Sequence, residues 1–121
     1  MFGSVVPEKS MMHRLFVYGT LAPGKPNEHV LADIPGTWEP ATVSGRLIAE
    51  GWGAAMGYPG IILDERGNDV PGLVFSSESL TVHWARIDEF EGEGYERVLT
   101  SAKLKDGRTV DTYIYRLSET P

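Results

Sequence analysis

Four acidic residues crowd into the stretch IDEFEGEG at positions 87–94, and one of them stands where a carboxylate can be tuned to move a proton. At about 100° per residue, Leu80, Trp84 and Ile87 fall in a narrow arc of one helical face, and Glu91 is the next position on that arc. Asp88 lies on its shoulder and Glu89 on the opposite face. Glu93 follows Gly92, a natural residue to end the helix. An inward carboxylate in a last helical turn meets partial desolvation and the negative end of the helix dipole, and both raise its pKa. That is how a general base or acid is prepared. The same position also suits a carboxylate that pairs with an arginine or caps a neighbouring loop, so the helix alone leaves both readings open.

A second candidate is the run YGTL at positions 18–21. It follows an apolar strand, and a glycine there lets the consecutive N–H groups of Gly19, Thr20 and Leu21 point into one concavity that binds an anion or a carbonyl oxygen. A plain turn fits the same four residues. Metal chemistry finds little support: His13, His29 and His83 fall at no ligand spacing, and the absence of cysteine excludes disulfides, thiol catalysis and cysteine metal sites. No metal site is expected.

The elements that must position these groups read as follows. Residues 1–12 mix Gly, Ser, Pro and charges without a period and are expected to form a flexible lead-in to a single domain over residues 13–121. RLFVY reads as a buried strand. Asn27 is placed to cap a short helix over residues 28–33, ended by Pro35 and Gly36. Residues 41–49 alternate as a half-buried strand, with Val43, Gly45 and Leu47 on one side. EGWGAAMGYPG, with four glycines, reads either as a loop setting Trp52 and Tyr58 at a pocket mouth or as a packed connector. GIIL and VPGLVF are strands, with Pro71 at a strand start or an edge. Ser76 and Ser77 offer N-caps for the helix that runs to Glu91. Two closing strands, YERVLTSAKL and TVDTYIYRL, are joined through Asp106-Gly107. Tyr113 and Tyr115 share one face of the last strand and Ile114 takes the other. Six strands with two helices, the longer interrupting the strands, make a mixed α+β arrangement with a small barrel-like sheet.

Composition narrows the function classes. At 121 residues the chain has the size of one domain, and 41% hydrophobic with 23% charged residues is ordinary for a globular protein. The net charge of −6 gives no basic patch for nucleic acid or anionic lipid. Apolar runs are too short to cross a bilayer and no signal pattern opens the chain, so a cytoplasmic protein, a monomer or weak homodimer, is expected.

Three stretches together resemble the γ-glutamylcyclotransferase-like, or AIG2-like, family. They are YGTL continued by the PN and VL of APGKPNEHVL, YPGI with its following strand, and IDEFEGEGYER, which fits the pattern LD-x-x-EG-x-x-Y. The resemblance spans residues 15–117 with motif order intact and is especially close to the small members that include the γ-glutamylamine cyclotransferases. It implies a mixed barrel with helices, no metal or organic cofactor, and conversion of a γ-glutamyl amine or γ-glutamyl amino acid to 5-oxoproline with release of the amine. Glu91 then matches the catalytic glutamate. Tyr18, Gly19, Thr20 and Leu21 match the loop that holds the γ-glutamyl part, largely through backbone groups, and Tyr95 matches the motif's aromatic. Ile87 stands where the pattern has Leu, and Ala22-Pro23 where some relatives carry a basic pair. Three rival readings stand beside it: a non-catalytic small-metabolite-binding module of the same fold, an interaction protein with an exposed patch around Trp52 and Tyr58, and a cyclotransferase dedicated to a biosynthetic pathway that removes a γ-glutamyl protecting group from a larger amine.

Overall fold

A computed structural model describes residues 13–19, 24, 28–48 and 59–118. The elements, in chain order, are β1 (His13–Val17), a one-turn helix α1 (His29–Ala32), β2 (Thr37–Ile48), β3 (Gly60–Leu63), β4 (Asn68–Ser77), a 3-10 helix (Glu78–Val82), α2 (Trp84–Glu91), β5 (Tyr95–Leu104) and β6 (Thr109–Leu117). The strands form one sheet in the order β3-β2-β4-β1-β6-β5. A further pairing of β2 with β5, Ala41 opposite Leu104 and Thr42 opposite Lys103, closes five of them into a barrel. β3 extends the second half of β2. β1 and β6 run parallel and the remaining pairs are antiparallel, so the barrel is mixed, as the family resemblance implies.

β1 explains why its sequence is an unbroken apolar run. It lies between β4 and β6, with Leu15 opposite both Phe75 and Tyr113, and it is covered on both faces. Phe16 points into the barrel with Val43, Val74 and Ile114. Leu15 and Val17 point outward, where Phe75 and Tyr115 meet Leu31 of α1, Leu80 of the 3-10 helix and Ile87 of α2. The alternation also separates Ile114 from Tyr113 and Tyr115, as the two-residue period requires. Arg86 of α2 donates to Asp33 at 3.1 Å and to the carbonyl of Val30 at 3.0 Å, tying the two helices together. Both partners are exposed, so this pair orients the helices more than it stabilises them.

The expected helix from Ser76 or Ser77 to Glu91 is in fact two pieces. β4 keeps Ser76 in the sheet, opposite Arg14 and Thr37, and Ser77 is still extended at φ −158°. The Ser77 hydroxyl donates to the Pro35 carbonyl and accepts from the Ser79 N–H, so Ser77 caps the 3-10 helix rather than a continuous α-helix. Thr81 and Val82 are β-branched and favour helix weakly, which suits the break before Trp84. Leu80 and Ile87 nevertheless point into the same outer core.

Other boundaries moved as well. β2 starts at Thr37 rather than at residue 41, because Trp38 pairs with Phe75 and packs on its ring at 4.6 Å despite the Pro40 that follows. Leu47, expected on the buried side, is 49% exposed where β2 has only β3 beside it. Pro71 stands neither at a strand start nor on an edge strand. It lies within β4 opposite Thr42, but past the end of β1, so its missing N–H breaks no pairing on that side. α1 is one residue shorter at each end than expected. The proposed Asn27 cap lies outside the described residues, as do Thr20, Leu21, Ala22, Pro23, Trp52 and Tyr58. Among the described residues no helix is long and apolar enough to cross a membrane.

Candidate active site

Glu91 is the last residue of α2, and Gly92 ends the helix at φ 82° with its N–H bonded to the Asp88 carbonyl at 3.0 Å. The chain then turns directly into β5. Tyr95 N–H bonds to the Gly92 carbonyl at 3.3 Å, and Ser118, beyond β6, bonds by its N–H to Gly94 and by its hydroxyl to Glu93. The turn that follows Glu91 is therefore fixed to the ends of β5 and β6.

The Glu91 carboxyl is half-buried and its pKa is pushed up to about 7, by burial first and then by the negative charge of Asp88. The helix dipole acts in the same sense. Arg97 is engaged by the neighbouring acid: it pairs with Asp88, donating from Nε to Oδ1 at 2.9 Å and from Nη2 to Oδ2 at 3.2 Å. Among the described residues no cation forms an ion pair with Glu91. A half-protonated carboxyl near neutral pH can both take and return a proton.

Tyr18 stands at the end of β1, close enough to Glu91 that the two negative charges would repel. Its hydroxyl donates to the Tyr115 carbonyl at 2.6 Å and accepts from the Ile61 N–H at 3.1 Å, so it joins β1, β3 and β6. Burial pushes this phenol far up, and it stays protonated. Gly19 follows and lies against Pro59: a β-carbon on it would stand 3.7 Å from Pro59 Cγ. Tyr95 reaches the same proline from β5, its hydroxyl donating to the Pro59 carbonyl at 2.6 Å. Gly60 is required by close approach, since a β-carbon there would lie 2.4 Å from the Leu117 side chain. Tyr18, Gly19 and Tyr95 thus gather around the segment 59–61, and the charge of Glu91 is felt at Tyr18.

Sequence reasoning did not single out three neighbours of this group. Asp88 appeared as a shoulder residue, Tyr115 only as sharing a strand face with Tyr113, and Arg97 only as the end of a motif. In the structure the Tyr115 hydroxyl donates to Asp88 at 2.6 Å, and Asp88 also holds Arg97. Arg97 holds the Asp88 carboxyl below its usual range. Burial and Asp88 push the Tyr115 phenol far up. The signal available was the acid at i−3 from Glu91, which faces the same side of the helix. Tyr113, on the same strand face as Tyr115, packs edge-on against Trp84 at 5.2 Å.

Among the described residues no group of three or more His, Asp or Glu could hold a metal ion. A surface cavity of about 260 Å³ lined by Glu28, Leu31, Ile34 and Trp38, among others, shares no residue with the group around Glu91.

Comparison with known proteins gives a consistent picture. The family model described as gamma-glutamyl cyclotransferase, AIG2-like, matches residues 15–121. No curated protein matches significantly. Among solved structures, YkqA from Bacillus subtilis is 28% identical with a TM-score of 0.68, over 91% of this chain and 37% of YkqA. The chain thus spans little more than a third of that protein. A protein from Arabidopsis thaliana is 26% identical with a TM-score of 0.67, over 92% of this chain and 72% of its own. An AIG2-like protein from Mus musculus has a TM-score of 0.70 at 21% identity, over 92% of this chain and 80% of its own, a likeness of fold.

Proposed function

The chain belongs to the gamma-glutamyl cyclotransferase, AIG2-like family, and on that premise we propose that it cyclises a γ-glutamyl amine or γ-glutamyl amino acid to 5-oxoproline, with Glu91 as general base and then general acid. The observation that carries this reading is the Glu91 carboxyl itself, half-buried, raised to about 7, paired with no cation among the described residues and close enough to Tyr18, which bonds to Ile61, for their charges to interact. Its properties match what the reaction asks for.

The substrate's α-amine nitrogen attacks the γ-carbonyl carbon to form a five-membered lactam. Glu91 takes the proton that this nitrogen loses. The bond from the γ-carbon to the leaving nitrogen then breaks, and Glu91 returns the proton to that nitrogen, so the carboxylate is regenerated. Holding the γ-glutamyl chain folded back on itself supplies a large part of the rate as proximity. Backbone N–H groups after β1, from Gly19 onward, are the donors assigned to the substrate's carboxylate or to the developing oxyanion. The Tyr18 hydroxyl is already committed at both its donor and its acceptor side, so Tyr18 contributes its ring and its backbone.

The test is incubation of the purified protein with a panel of γ-glutamyl amines and γ-glutamyl amino acids, with 5-oxoproline detected by mass. Release of 5-oxoproline together with an equimolar amine from at least one member is expected. Measurable binding of a panel member without any turnover would replace the enzyme reading with that of a binding module.

A further inference from the structure

Asp88 stands three residues before Glu91 on α2, a spacing that sets β-carbons about 5–6 Å apart on one helical face. Like charges at this spacing normally repel and weaken a helix. Here the first of the two is held with unusual care. Its Oδ1 accepts from Arg97 Nε and from the Tyr115 hydroxyl, and its Oδ2 accepts from Arg97 Nη2. The Arg97 guanidinium in turn lies over Trp84 at 4.4 Å and over Tyr113 at 5.1 Å, rings that pack against each other. One donor comes from β5 and one from β6, so the Asp88 carboxylate cannot turn without breaking bonds to both strands.

We propose that Asp88 is a positioning residue for Glu91: Arg97 and Tyr115 lock its carboxylate, which fixes the last turn of α2 on β5 and β6 and sets how much negative charge Glu91 faces. The proposal rests on the reading of Glu91 as the proton-transfer group. Among the described residues, the charges of Asp88 on its own helix, Tyr18 at the end of β1 and Tyr115 on β6 interact with that of Glu91, and Arg97 of β5 enters through its bond to Asp88. The tyrosines Tyr18 and Tyr115 stay neutral, which leaves the balance between Asp88 and Arg97 as the adjustable charge.

Two substitutions should therefore move Glu91 in opposite directions. Asp88→Asn removes the negative neighbour, and Tyr115→Phe removes a hydroxyl that partly neutralises it while keeping the ring. Glu91 is followed by the carbon NMR titration of its labelled side-chain carboxyl, a readout independent of activity. The midpoint is expected to fall by about half a pH unit or more in Asp88→Asn and to rise by a similar amount in Tyr115→Phe. In Tyr115→Phe, kcat for 5-oxoproline release should drop about 10-fold with little change in KM, and the rising limb of the pH profile should follow the NMR midpoint. A merely structural role for Asp88 predicts no opposed shifts. Midpoints that stay at the wild-type value in both folded variants overturn the proposal. If Asp88→Asn fails to fold, Tyr115→Phe decides alone: an upward shift supports the proposal and an unchanged midpoint defeats it. Opposed NMR shifts in a protein that makes no 5-oxoproline would leave Asp88 as the residue that sets Glu91's charge and would remove the cyclotransferase reading instead.

Discussion

At Glu91, burial and the charge of Asp88 push the carboxyl in the same direction, and this has a consequence for stability as well as for catalysis. The folded chain holds a proton on Glu91 up to about pH 7, whereas the unfolded chain loses it near the ordinary value of 4.5. Because the folded pKa is the higher one, the stabilising contribution is complete below about 4.5, declines as pH rises and is gone above about 7. A displacement of this size corresponds to about 3 kcal/mol at most. Asp88, whose carboxyl is held low by Arg97, acts in a separate and more acidic window: its contribution is present above 3.8 and is lost as pH falls through its depressed value. Denaturant unfolding at pH 5 and pH 8 should therefore show wild type losing stability that Glu91→Gln retains. Parallel profiles for the two proteins would mean that Glu91 titrates as an ordinary surface carboxyl.

At the scale of elements, the end of α2 is set by Gly92. Its φ of 82° with ψ of −172° is a conformation that only glycine adopts without strain, and a β-carbon there would meet nothing within 4 Å. Gly92→Ala is thus a clean conformational test. It should cost about 1–3 kcal/mol in denaturant unfolding and lower kcat through the displaced Glu91, with no steric clash to share the blame. A variant as stable as wild type would show that the turn adopts another conformation easily.

The elements also show what could be read in advance. All six strands were visible, as apolar or β-branched runs or, for the second, as a loose alternation, and the Asp106-Gly107 turn appears with Gly107 at φ 97° and Asp106 accepting from Arg108. The split of the long helix was not visible, because the arc of Leu80, Trp84 and Ile87 survives a 3-10 turn and a break at His83 almost unchanged. The early start of β2 was hidden by Pro40, which reads as a breaker until Trp38 is seen against Phe75.

For the whole molecule, the barrel brings together residues that lie far apart in the chain. β1 lies beside β6, and β3 is held near the end of β6 by the fit of Gly60 against Leu117. Position 18, positions 59–61, the turn after position 91 and position 115 therefore converge at one end of the strands. Glu91 and Tyr95 stand out in the sequence because one falls on an apolar helical stripe and the other in a stretch that matches a family motif. Arg97, Asp88 and Tyr115 do not, because their partnership spans two strands and a helix and leaves no local period. The central claim is that Glu91 moves the proton in 5-oxoproline formation. The most direct measurement is the rate of 5-oxoproline release by wild type, Glu91→Gln and Glu89→Gln under one set of conditions, with folding of each checked by thermal melt. Glutamine keeps the shape and hydrogen bonding of residue 91 but cannot accept the proton, so Glu91→Gln should be slower by about 100-fold or more while Glu89→Gln on the exposed face matches wild type. Comparable turnover by all three proteins would contradict the account.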